Sequence, residues 1–233
     1  MKTFTKGILC AAASFFAAGA VLSGIGKWMG AEFDKEEFWK ETMTEQRASF
    51  EQITNLEIDV EQGEIEILPC SGTQILVTVS GRKEKTKMYT ENKTLKIQKN
   101  GMDTTKIQIQ VPKDTVFDQV SMENGVGKIS ASNMQCENLD VQLGVGEISY
   151  SGEVTNKASL ENGIGTMKLD LTGEKSWYSW DTECGIGQIR IDGKSVLEGM
   201  GRESKVQGQG DTRKKLDLEC GIGKIEISFK EES

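Results

Sequence analysis

Apolar and polar residues alternate with a period of two over most of the chain beyond about residue 52. In "LDLECGIGKIEIS", residues 216–228, Leu216, Leu218, Cys220 and Ile222 take every second position, the pattern of a half-buried strand. After Gly223 the apolar positions are Ile225 and Ile227, so the inside-outside phase slips at the Gly-x-Gly. A strand that bends there keeps both halves on one core, and glycine permits the backbone angles that a bend needs.

The same signature recurs as "ENGVGKIS", "QLGVGEIS", "ENGIGTMK" and "ECGIGQIR". The expected corners are Gly125 and Gly127, Gly144 and Gly146, Gly163 and Gly165, Gly185 and Gly187, and Gly221 and Gly223. First glycines are 19, 19, 22 and 36 residues apart, and the last step reads as about two turns of one period. Repeats near 20 residues are the signature of a solenoid, in which each coil buries its apolar edge against the next. The expected fold is therefore all-β, a parallel β-solenoid (β-helix-like) with coils of about 19 residues; the alternative is a β-sandwich. "LEIDVEQGEIEI", residues 56–67, aligns with "LDLECGIGKIEI" as a degenerate, terminal coil. The runs "QILVTVS", "TLKIQK" and "TKIQIQVP" read as strands without the motif, and the stretch around Gly199 as a worn copy.

The residue between the glycines is Val126, Val145, Ile164, Ile186 or Ile222, always β-branched and apolar. A phosphate cradle gains nothing from such a residue, whereas a packed corner uses it, so these five are expected inside. The third glycine of a dinucleotide fingerprint is missing from each copy, and "IDGKSV" has Gln188 where a P-loop needs glycine.

The N-terminus has a different pattern. Lys2 and Lys6 precede 20 uncharged residues from Gly7 to Gly26, which Lys27 and Trp28 close. About 20 apolar residues span a bilayer as a helix, and the leading lysines favour a cytoplasmic residue 1–6 segment. We expect a transmembrane helix at 7–26, or a signal peptide cleaved near Ala18-Gly19-Ala20. Residues 27–52 read as a juxtamembrane linker, partly helical, 53–230 as the solenoid, and 231–233 as a tail. Both N-terminal readings export the domain: single-pass in a bacterial cytoplasmic membrane with the C-terminal domain outside, or secreted after cleavage.

Composition narrows the chemistry. A formal net charge of -8 argues against a nucleic-acid binder, because neutralising phosphates takes clustered Lys and Arg. There is no His, which removes the commonest general base and metal ligand together. Five cysteines, at 10, 70, 136, 184 and 220, form no Cys-x-x-Cys pair, so zinc-ribbon and thioredoxin-like readings fail. Leu9 before Cys10 speaks against a lipoprotein. The remaining four are open to pairing in an oxidising compartment or to packing as free thiols. No cofactor is implied.

Two columns emerge if equivalent positions stack. Before the first glycine come Val60, Asn124, Leu143, Asn162, Cys184 and Cys220, nominally inward. One residue earlier come Asp59, Glu123, Gln142, Glu161, Glu183 and Glu219, nominally outward. Like charges in a stack repel unless screened, which marks this column as a candidate site for divalent metal cations or a cationic peptide.

"VPKDTVFDQVSMENGVGKISAS", followed by further Gly-Val-Gly and Gly-Ile-Gly strands, resembles the bacterial putative-adhesin family of envelope proteins, over roughly residues 52–230. That resemblance implies a β-helical fold, an N-terminal membrane span and an association with envelope-stress and antimicrobial-peptide responses. It supplies no catalytic residues. The expected function is thus non-enzymatic binding or sensing at the cell envelope, with cations, cationic peptides or envelope components as partners. A structural module self-associating through its end coils is the alternative, and a carboxylate-based glycoside hydrolase the remote one.

Overall fold

The computed structural model describes residues 44–81, 86–101, 103, 105–199, 204–208 and 214–230. The segment expected to span a membrane, 7–26, lies outside these residues, as do 1–6, 231–233 and most of 27–52. Among the described residues no helix is long and apolar enough to cross a membrane.

Strands β1 (Thr44–Phe50), β2 (Asn55–Cys70), β3 (Ile75–Gly81), β4 (Lys87–Glu91), β5 (Thr94–Lys99), β6 (Thr105–Pro112), β7 (Val116–Thr172), β8 (Tyr178–Ile191), β9 (Lys194–Gly199), β10 (Ser204–Gly208) and β11 (Lys214–Lys230) form one sheet. The one helix among the described residues is a 3-10 turn, Lys175–Trp177. β7 winds through three rungs: an added Cβ at Gly144 would meet the carbonyl of Gly125, and one at Gly163 the carbonyl of Gly144. With β5 and β6 as the two limbs of one rung, seven parallel rungs stack among the described residues. The expected parallel solenoid is observed, and the β-sandwich is not.

Inward positions make continuous apolar ladders. One runs Ile97, Ile58, Met122, Val141, Leu160 and Leu218; beyond the bend another runs Ile107, Ile65, Ile129, Ile148, Met167, Ile225 and Ile189. All are buried. Burying one such side chain contributes about 1.5–3 kcal/mol, but only with a rung on either side to cover it. Positive φ recurs at the equivalent positions Asn133 (50°) and Gly152 (141°), and just beyond them Met134, Cys136 and Val154 are buried.

The rung order differs from the chain order. β11 pairs with the last rung of β7 on one side and with β8 on the other. The 36-residue step is therefore not two turns of one winding: the C-terminal strand is an interior rung. Likewise β2, expected to be terminal, lies between the β5/β6 rung and β7. The stretch around Gly199 is not a worn coil either, since β9 and β10 run antiparallel to β8.

Those antiparallel strands cover the ends. β9 and β10 occupy the outer edge of β8, β4 that of β5, and β3 that of β6, with β1 on β3. The outermost edges of the stack are therefore those of β1, β4, β9 and β10 rather than of the parallel coils. Thr44–Phe50, inside the stretch expected as a partly helical linker, is strand and belongs to the sheet. Asp192 and Gly193 of "IDGKSV" both have positive φ, 49° and 73°, which makes the β8–β9 connection a type I′ hairpin turn.

Candidate functional site

The glycine corners set the geometry. The second glycine of each pair adopts φ between 144° and 151° at Gly127, Gly146, Gly165, Gly187 and Gly223, a region open almost only to glycine. This is the bend expected from the phase slip. Its consequence for the intervening residue is the reverse of the expectation. Val126, Ile186 and Ile222 are 48%, 43% and 37% exposed, and Val145 and Ile164 are half-buried. The corner is convex, so the residue at its apex points away from the core. In spatial order Val126, Val145, Ile164, Ile222 and Ile186 form an apolar row along the ridge.

The limb before the ridge carries the acidic column. Register places Asp59 beside Glu123, and Glu219 between Glu161 and Glu183. With Gln142 between Glu123 and Glu161, the order is Asp59, Glu123, Gln142, Glu161, Glu219, Glu183, at about 4.8 Å per rung. All six are partly or fully exposed, as the alternation requires. The structure adds a neighbouring outward column that the sequence reading left out, with Asp140, Asp217 and Asp181. Period-two counting from Gln142, Glu219 and Glu183 reaches these three, so the signal was present. The two columns meet electrostatically: Glu161 is held above the ordinary carboxylate range by burial, then by Glu219, Asp140 and Asp217. At an effective dielectric of 20 to 80, two carboxylates about 5 Å apart repel by roughly 1–3 kcal/mol before salt screening.

The limb after the ridge is charge-balanced. Lys128 pairs with Glu147 at 3.3 Å across rungs, Lys106 with Glu66 at 3.3 Å and Arg190 with Glu226 at 4.0 Å. Glu66 is correspondingly held below its ordinary range, chiefly by the Gln108 hydrogen bond. One outer face is thus strongly acidic and the other neutral on balance, with the apolar ridge between them.

The inward column before the first glycine is buried as expected, with Asn124, Asn162, Cys184 and Cys220 all closed off. Asn124 Nδ2 donates to the Gly63 carbonyl at 2.9 Å, and Asn162 Nδ2 to the Gly146 carbonyl at 3.2 Å. They stitch one rung to the next at the bend. Among the described residues no three Asp, Glu or Cys side chains converge on a point that would hold a metal ion. The acidic face is a line of charge rather than a chelating cluster. The pocket bounded by Pro69, Val111, Lys113, Asn133 and Met134 has an empty volume of about 240 Å³, part of it open solvent. Its enclosed part has room for about one water molecule, far below the roughly 300–1,000 Å³ of small-molecule sites.

One solved structure shares this architecture. A putative cell adhesion protein from Clostridium sporogenes ATCC 15579 superposes with a TM-score of 0.55 at 15% identity, covering 81% of this chain and 100% of that one. A putative adhesin from Bacteroides fragilis NCTC 9343 gives a TM-score of 0.44 at 14% identity, covering 81% and 98%. Curated proteins give no match. Residues 53–232 match the Toastrack DUF4097 family along nearly the whole of the stack, and the chain belongs to that family.

Proposed function

We propose that this protein is a non-enzymatic binding module of the bacterial cell envelope, held at the membrane by residues 7–26 with its solenoid outside. Its acidic face captures a cationic, amphipathic partner. The observation that carries this reading is the difference in charge between the two outer limbs: Glu123, Glu161, Glu219 and Glu183 stack with Asp140, Asp217 and Asp181 on one, while acids and bases balance on the other.

A partner with a row of Lys or Arg relieves the repulsion recorded at Glu161, and its apolar side covers the exposed Val126, Ile222 and Ile186. A line of carboxylates about 24 Å long suits a multivalent peptide better than a single ion. The chain's lack of His supports a binding role over catalysis. The likeness to a putative cell adhesion protein agrees with it.

Titration calorimetry with a lysine-rich amphipathic peptide and with calcium tests the reading. Peptide binding is expected at low ionic strength, weakening as salt rises toward 0.15 M on the order of the physiological Debye screening. Changing Glu123, Glu161, Glu183 and Glu219 together to Gln abolishes it. Peptide heats unchanged by that quadruple substitution would refute the assignment of the face.

A further inference from the structure

Cys184 and Cys220 occupy the same inward column on β8 and β11, directly opposite each other in register. Their 1% and 3% exposures place both thiols inside the stack. Cys184 Sγ donates to the Gly223 carbonyl at 3.7 Å and Cys220 Sγ to the Gly165 carbonyl at 3.8 Å. Both bridge rungs at the bend, as Asn124 and Asn162 do elsewhere, and both are free cysteines.

In-register neighbours on parallel strands sit about 4.8 Å apart, inside the roughly 4.4–6.8 Å Cα window that disulfides occupy. Same-column side chains also project in one direction, which leaves the Cβ atoms about 4.8 Å apart, so closing the bond takes side-chain rotation and draws the two rungs together locally by about 0.3–1 Å to reach the roughly 3.5–4.5 Å Cβ separation of a disulfide. The two thiols are coupled: hydrogen bonding with Cys220 holds Cys184 below the ordinary thiol range, while that same neighbour and burial push Cys220 up. The other described cysteines lack such a neighbour. Cys136 faces the Tyr150 hydroxyl at 3.9 Å and is pushed up to about 12 by burial, and Cys70 lies half-buried at the end of β2.

We propose that Cys184 and Cys220 are a redox-active pair that forms a reversible cross-rung disulfide and staples β11 to β8. The oxidant is a disulfide, either of a small thiol or of a thiol oxidoreductase. The Cys184 thiolate attacks one oxidant sulfur, breaking its S–S bond and expelling one thiolate. Cys220 then gives up its proton and attacks Cys184 Sγ, expelling the second. Two electrons pass to the oxidant, which leaves as two thiols carrying the two protons lost by the protein. β11 is the strand paired to β8 on this side, and both thiols are closed off in the folded stack, so the exchange proceeds with the oxidant before that strand has docked.

Peptide mapping decides the matter. The full chain, purified in detergent, is unfolded with reductant and refolded with glutathione disulfide, then alkylated in denaturant and digested with trypsin. Cys184 falls on peptide 176–190 and Cys220 on 216–224, so the staple appears as these two peptides linked and separable by dithiothreitol. Oxidation is expected to raise Tm by about 5–15 °C in the wild type, as for other loops of this length. No rise is expected in C184S or C220S. Both peptides recovered alkylated or glutathione-capped, either one linked to Cys70 or Cys136, or a linked pair without a gain in Tm would overturn the proposal.

Discussion

Gly146→Ala isolates the demand that the stack makes on its corners. Gly146 has φ 144°, and a Cβ built there falls 1.8 Å from the Gly127 carbonyl oxygen of the rung beneath. Real Cβ atoms essentially never come within 3.0 Å of such an atom, so the two rungs must part by more than an ångström. A backbone N–H···O bond stretched that far is no longer one. About four such bonds flank the corner, each contributing about 1 kcal/mol net, and the backbone angle itself costs an alanine about 1–2 kcal/mol. The total is on the order of 5–6 kcal/mol, a large share of a stability of about 5–15 kcal/mol. Gly193→Ala is the control. It also has positive φ, 73°, but nothing lies within 4 Å of the added Cβ, so only the backbone cost of about 1–2 kcal/mol remains. Urea unfolding followed by circular dichroism separates the two. A midpoint for Gly146→Ala equal to that of Gly193→Ala would show that rung contact at the corner is not what excludes side chains.

Two further outcomes follow from titratable groups. Tyr150 is buried with its hydroxyl near the Met134 and Glu153 carbonyls, at 2.8 and 3.0 Å, and burial raises it well above the ordinary phenol range. The native state holds this proton after the unfolded chain has lost it, so stability is intact below about pH 10 and falls as pH rises beyond it, by up to about 1.4 kcal/mol per unit. Tyr150→Phe should cost about 1–2 kcal/mol at neutral pH and flatten that alkaline slope; an unchanged slope in urea titrations at several pH values would contradict it. For Glu161, whose range is raised by burial and neighbouring carboxylates, ionisation opposes folding, and stability rises as pH falls through its folded pKa. Glu161→Gln should therefore raise the urea midpoint at pH 7 and lose that advantage in acid; a lowered midpoint at pH 7 would count against the repulsion.

The corners and ladders were readable because stacking repeats the same physical demand at each rung. Gly146 and its counterparts must be glycine, and Ile129, Ile148 and Ile225 must be apolar, whatever lies between. The orientation of Ile222 was misread because a β-branched apolar residue was assumed to need burial. At a convex apex that side chain faces out, and β-branching favours the extended backbone on its own account. Rung order was not readable at all: alternation shows that β8 and β11 each have an inner face, but both fit against any equivalent rung. β8 does not pair with the last rung of β7 that precedes it, and β11 fills the rung left between them. Of the candidate site, the column through Glu161 and Glu219 was visible, whereas its contrast with the paired charges of the opposite limb needed the spatial arrangement.

The interior position of β11 makes completion of the stack depend on Lys214–Lys230, the last of the described strands to be synthesised. A ribosome releases Lys214–Lys230 after everything else in the described structure, yet that strand is the layer on which β8 rests. Until it is delivered, the final rung of β7 keeps an uncovered edge, and β8 with β9 and β10 has nothing parallel to dock on. A premature stop shortly before residue 214 would remove a middle layer rather than shorten the stack by one unit, leaving two sticky edges in a half-built product. The stack is thereby closed only once β11 enters between β7 and β8.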